Sequence, residues 1–175
     1  LVSQASTPRV VADLGPRIAE LSNELLDQAG ERYDLIHALA YPLPVIVIAE
    51  LRGIPVSDRG LFRTWADTLF SQEVDPDKSL RDVSEQALSA VVPTMREMNA
   101  YFLDYIRSRR ADPGSDLTSK LTQAEVDGER LADEEIVGFV GLLLLAGHIT
   151  TTATLGNSVV TFQDNPDAVA EIRAD

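Results

Sequence analysis

Cysteine is absent from the 175 residues. That excludes disulfides, thiolate catalysis, cysteine zinc sites and any cysteine-ligated haem supplied by this chain. Histidine occurs only at His37 and His148, too far apart in sequence to suggest a histidine-rich metal site, so no metal ligand is assigned. Basic residues are scarce, 15 against 28 acidic, for a net charge of −13. A surface that negative repels phosphate, so neither nucleic acid nor a membrane is an expected partner. No basic-then-apolar leader precedes the body, so no signal peptide is expected, and a cytoplasmic location is. The chain starts at Leu1 and not at Met, which suggests a processed chain or an excerpt of a longer one. Internal repeats, low-complexity stretches and good runs of alternating apolar and polar residues are also missing, so few strands are expected.

What is present suits one sizeable core. Apolar residues make up 45% and charged residues 25%, the balance of an ordinary globular protein, and the length is too short for two domains. The expected fold is mainly α. Thr7-Pro8 reads as a helix start, and a better helix restarts after Gly15-Pro16 with Ile18, Leu21, Leu25 and Leu26 on one face, closed by Gly30. Tyr33 to Ile36 suggests a short extended piece, and Tyr41-Pro42-Leu43-Pro44 an extended lead into a buried helix over Val45 to Leu51 with a Gly53 exit. Ser57-Asp58 caps a helix striped by Leu61, Phe62, Trp65, Leu69 and Phe70; residues 71–80 read as a loop. A long helix is expected from about Arg81 to Arg110, bent at Pro93, followed by a short one capped by Asp116 and a turn at Val126 to Glu129.

The most informative element is a long central helix over about 133–164. Asp133, Glu134 and Glu135 place negative charge at its start, where the macrodipole favours it. From Ile136 to Gln163 no side chain carries a formal charge. Three readings are open. A membrane span is disfavoured by His148, Thr150, Thr151, Thr152, Thr154 and Asn157 in the second half. A core helix buried on all sides needs no function, its glycines serving as packing notches and its threonines bonding to carbonyls one turn back. The third reading is a ligand site. Ala146 and Gly147 remove bulk from one patch, Leu142, Ala146 and Thr150 share a face, and adjacent threonines compete for backbone bonds and could open the helix. His148 points away from that face and is expected in a core or interhelix position.

Ala146-Gly147-His148-Ile149-Thr150-Thr151 resembles the central-helix motif of the cytochrome P-450 family. Asp34-Leu35-Ile36, Tyr41-Pro42-Leu43-Pro44, Glu50-Leu51-Arg52-Gly53-Ile54-Pro55, Asp58-Arg59 and Asn165-Pro166-Asp167 resemble the flanking segments of bacterial soluble members in order and spacing, with a macrolide-type actinobacterial character. The resemblance implies the middle helical portion of that fold, as a single segment over 1–175 that lacks the N-terminal part and the C-terminal haem-ligand part. It implies a full-length monooxygenase with haem b that inserts one oxygen atom of O2 into an apolar small molecule by hydroxylation or epoxidation, the substrate being a macrolide or polyketide. A ferredoxin-type donor would supply the electrons. By carry-over, Thr150 is the catalytic residue and handles the oxygen and its protons. Ala146, Gly147 and Thr151 contact the cofactor, Leu142 and Leu145 line the substrate site, and the helices around Trp65–Ser71 and Arg81–Met98 cover it.

The departures are equally plain. The iron-ligating cysteine is missing, and no Glu is followed by Arg three residues later. Ile149 stands where many members carry an acid, and an isoleucine moves no proton. The segment alone is therefore expected to be inactive, to hold no haem stably and to self-associate through uncovered apolar surface. The alternative is a haemless truncated relative acting as a binding or interaction module.

Overall fold

The computed structural model describes residues 12–70 and 80–174, apart from the side chains of residues 70, 80–87, 90 and 126. The expected helix start at Thr7-Pro8, the side chain of Phe70 and most of the loop over 71–80 lie outside the described residues. Helix dominates, as expected. The helices are α1 (Gly15–Asp27), α2 (Pro42–Leu51), α3 (Arg59–Phe70), α4 (Leu80–Ala111), α5 (Leu117–Gln123), α6 (Asp133–Asp164) and α7 (Pro166–Ala174). A π-helical turn, Ile36–Ala40, precedes α2, and a 3-10 turn, Val56–Asp58, precedes α3. The only described strands are β1 (Glu125–Val126) and β2 (Glu129–Arg130), an antiparallel pair closed by Asp127 and Gly128 at φ 55° and 83°.

Most elements start and stop where their residue chemistry dictates. Pro16 sits in the first turn of α1, where its missing N–H costs nothing. Asp116 caps α5 by accepting from Ser119 N at 2.8 Å. Glu135 Oε2 accepts from Ala132 N at 2.8 Å, so part of the acidic cluster at the start of α6 is a cap. Gly53 leaves α2 at φ 74°, and a Cβ there would lie 2.7 Å from the Asp116 side chain, so two constraints require glycine.

Three local expectations are corrected. Leu35 and Ile36 are helical, because the Asp34 carboxylate accepts from Ile36 N at 2.8 Å and His37 N at 3.2 Å and starts a turn in place of a strand. Tyr41 has φ −81° and ψ −53°, so α2 has no extended lead. The π turn runs straight into it: Tyr41 N reaches back to Ile36 O at 2.9 Å, and Pro42, lacking an N–H, needs no partner at the junction. Leu61 is 41% exposed, while Phe62 and Trp65 are buried on the same helix.

The core lies where α2, α3 and α4 meet the first half of α6. Phe62, Trp65, Phe102, Met98 and Ile106 pack with Val45, Ile48 and Ala49 of α2 and with Ile136, Val140 and Leu144 of α6. Phe62, Trp65, Tyr101 and Phe102 meet at tilted or edge-on ring angles, the favourable arrangement for aromatic quadrupoles. Glu50 joins three helices, accepting from Arg17 Nη2 of α1 at 2.9 Å and from Arg59 Nη2 of α3 at 2.7 Å. These guanidiniums, Arg17 first, hold its carboxyl below the ordinary range.

The central helix is not buried all round within this chain. It buries one stripe, Ile136, Val137, Val140, Gly141, Leu144 and His148, at three- and four-residue spacing. Leu142, Val159 and Val160 are 61%, 50% and 62% exposed. By length and composition this one described helix could cross a membrane, yet its buried stripe packs into the core described above.

Candidate functional site

Two faces of α6 carry the candidate residues. On one, α4 and α6 enclose an open groove of about 520 Å³. Met95, Met98 and Leu103 of α4 face Gly141, Leu142 and Leu145 of α6 across it. Small residues make it: nothing lies within 4 Å of a Cβ added at Gly138, and one at Gly141 would meet Met98 Cε at 3.7 Å. The polar groups at its rim are Glu134 and Asn99. The structure thus brings Leu142 and Leu145 together in one apolar recess. The α4 residues opposite them, Leu103 and Asn99, carried no sequence signal beyond helical periodicity.

One turn further on, Ala146, Thr150 and Thr151 are exposed. Thr150 Oγ1 donates to Ala146 O at 2.6 Å, and Thr151 Oγ1 to Gly147 O at 2.7 Å. The expected local opening of the helix does not occur. The hydroxyls bond back one turn without displacing the helix, and α6 runs unbroken through this region. Both hydroxyl oxygens keep lone pairs that can accept from a partner on the open side.

Gly147 is a packing notch, one of the readings left open by the sequence. A Cβ there would lie 2.9 Å from Ile48 Cδ1, so the missing side chain makes room for α2. Gly156 does the same for the π turn, with Ile36 Cδ1 at 2.7 Å from a built Cβ. Thr152 Oγ1 completes that contact by donating to Ala40 O at 3.0 Å.

His148 turns inward as expected. It is 2% exposed and meets the Tyr41 ring edge-on at 4.5 Å. Burial holds its imidazole below the ordinary value and so in the neutral form. Tyr41 in turn donates to Asp67, and burial first, then that carboxylate, raises its phenol pKa. Ile149 is 44% exposed and lines a separate hollow of about 630 Å³ with Tyr41, His148 and Thr152.

A buried cation was also missed. Arg52 is 0% exposed, and desolvation pushes its pKa down to about 9. Its position in the apolar stretch between Leu51 and Ile54 was the available signal.

Among the described residues, no group of three His, Cys, Asp or Glu side chains could hold a metal. With no cysteine in the sequence, this chain supplies no thiolate either. The open stretch at Ala146, Thr150 and Thr151 fits one wall of a flat cofactor's pocket and provides no ligand for its metal.

No family model matches the chain. Individual proteins do. Erythromycin C-12 hydroxylase of Saccharopolyspora erythraea is 45% identical over 98% of this chain and 43% of its own length. Cyclomarin C epoxidase CymV of Salinispora arenicola is 44% identical over 100% of this chain and 44% of its own. The ligand-free structure of cytochrome P450 TbtJ1 is 46% identical, with a TM-score of 0.88 over 99% of this chain and 45% of that one. The chain therefore spans under half the length of these relatives. By sequence and by fold it is similar to a helical segment of these cytochrome P450s.

Proposed function

We propose that the full natural chain carrying this segment is a haem-dependent monooxygenase that inserts one oxygen atom of O2 into an apolar small molecule. The observation that carries the reading is a junction on α6. An apolar groove at Leu142 and Leu145 runs into an exposed turn with little bulk at Ala146 and hydroxyls at Thr150 and Thr151. The likeness to a hydroxylase and an epoxidase supports it.

When bound, haem supplies the iron at which O2 is activated. In this reading Ala146 and the Gly147 backbone form part of the wall beside the macrocycle, and Thr151 touches its edge. Leu142 and Leu145 hold the substrate's apolar face and exclude water. Thr150 Oγ1 donates its hydrogen bond to Ala146 O and presents lone pairs to the open side. It can therefore accept from a water and hold that water's proton at Oγ1's edge of the site, an ordering that an alanine cannot provide. Ile149 cannot share this work, so the proton path runs through Thr150 and water.

The apolarity of the groove and the likeness to an erythromycin hydroxylase support a macrolide or polyketide as substrate. A ferredoxin-type donor would supply electrons, and the cytoplasm is the proposed location. The segment alone lacks a thiolate and is inactive, and its exposed Leu142, Val159 and Val160 drive association with a second copy. The test is an absorbance spectrum of the purified full natural chain, reduced with dithionite and exposed to carbon monoxide. The red-shifted Soret band of a thiolate-ligated haem is expected. A full-length chain that takes up no haem overturns the reading and favours a binding module.

A further inference from the structure

Among the described residues, Arg52 is the only formally charged side chain that is fully buried. It follows the last residue of α2 and turns into the core. Nη2 donates to the Val140 carbonyl in α6. The guanidinium carbon stands 5.6 Å from the ring centroid of Phe102 in α4. Nε and Nη1 find no partner among the described residues. Burying a charge with two idle donors is costly, and an apolar side chain of similar volume would fill the space at lower cost. So expensive a residue calls for a task that shape alone does not perform.

Its two contacts define that task. Val140 lies between Val137 and Gly141, and Phe102 lies one turn beyond Met98; Val137, Gly141 and Met98 all line the groove. Arg52 therefore touches both walls of the groove from the core side. Its hydrogen bond fixes it to α6, and its guanidinium lies within cation–π range of a ring of α4. A flexible chain can fill the same volume without fixing either distance.

We propose that Arg52 is a positioning residue that sets the spacing of α4 and α6 and thereby the size of ligand the groove admits. This rests on reading the groove as the substrate site. The experiment compares the full natural chain with its Arg52→Met and Arg52→Lys variants, measuring binding of indole and of corticosterone by calorimetry, with Tm recorded alongside.

Wild type is expected to bind both probes. Arg52→Met relaxes the walls inward and loses about tenfold in corticosterone affinity while indole binding changes by less than about twofold. Its Tm does not fall, because the idle buried charge is gone. Arg52→Lys keeps a donor for Val140 without the guanidinium and lies between the two; if Arg52→Met does not fold, the same shift in ratio is read from this variant. An unchanged ratio of affinities overturns the inference and leaves the groove reading standing. Equal loss for both probes with a lowered Tm also overturns it, showing a merely structural role. If wild type binds neither probe, the groove reading fails and this inference fails with it.

Discussion

Gly147 is small for one of two reasons, and the structure favours helix packing. A methyl group at position 147 would sit 2.9 Å from Ile48 Cδ1 and 3.8 Å from Cγ1. Carbon atoms pack at about 3.5–4.0 Å, so Ile48 must retreat by over half an ångström in a core where it is only 7% exposed. Overpacking of this kind costs about 1–3 kcal/mol. Replacing glycine by alanine inside a helix returns about 0.8–1.0 kcal/mol. Gly147→Ala is therefore expected to destabilise the full natural chain by about 1 kcal/mol. Ile48→Val removes the clashing Cδ1 and by itself costs about 0.5–1.5 kcal/mol. In the double variant the new methyl occupies the space Cδ1 vacates, so the two losses do not add. A favourable coupling of about 1 kcal/mol should appear in urea midpoints at unchanged m-value. Additive losses, or a Gly147→Ala variant as stable as wild type, would refute the packing argument. Lost haem uptake without lost stability, unrelieved by Ile48→Val, would show that the glycine is small for the cofactor.

Three further outcomes are expected. Thr150→Ala in the full natural chain should change stability by less than about 1 kcal/mol, because its hydroxyl bonds to a carbonyl of its own helix, but should raise NAD(P)H consumed per product formed; unchanged coupling removes Thr150 from the proposed mechanism. Gly53→Ala should cost about 2 kcal/mol or more in chemical denaturation, since φ 74° and the Asp116 side chain at 2.7 Å both oppose a Cβ; a neutral result contradicts the local geometry. His148 has a lowered native pKa, so the unfolded chain binds the proton more readily. Its contribution is full above the ordinary histidine value of about 6.5 and is lost as pH falls below it. His148→Phe keeps an aromatic edge against Tyr41 and should flatten the decline in stability between about pH 6.5 and 5; an equally steep decline assigns the acid sensitivity elsewhere.

Several features were legible before any coordinates because their causes are local. Asp116 caps a helix, Gly53 ends one, and the acids at 133–135 open another through forces that act within a turn or two. The helix over Val45 to Leu51 was harder, since β-branched residues mimic a strand; proline before it and glycine after it decided correctly. The same prolines misled about the lead into α2, because the π turn at Ile36–Ala40 depends on Asp34, Thr152 and the packing of Ile36 against Gly156. Leu61 fits the apolar stripe of α3 by spacing, yet lies on its exposed edge.

By itself, the sequence determined that this chain is mainly helical, that it supplies no thiolate, and that an uncharged helix bearing Ala146, Gly147 and Thr150 is its centre. These follow from composition, capping chemistry and periodicity, which are written along the chain. Only the tertiary structure decided which faces of that helix are covered. It placed Ile48 in the notch at Gly147, set Leu142 and Leu145 opposite Met95 and Leu103, and buried Arg52 between Val140 and Phe102. Each of these is a contact between residues far apart in sequence, and such contacts depend on how helices cross, which no local pattern records.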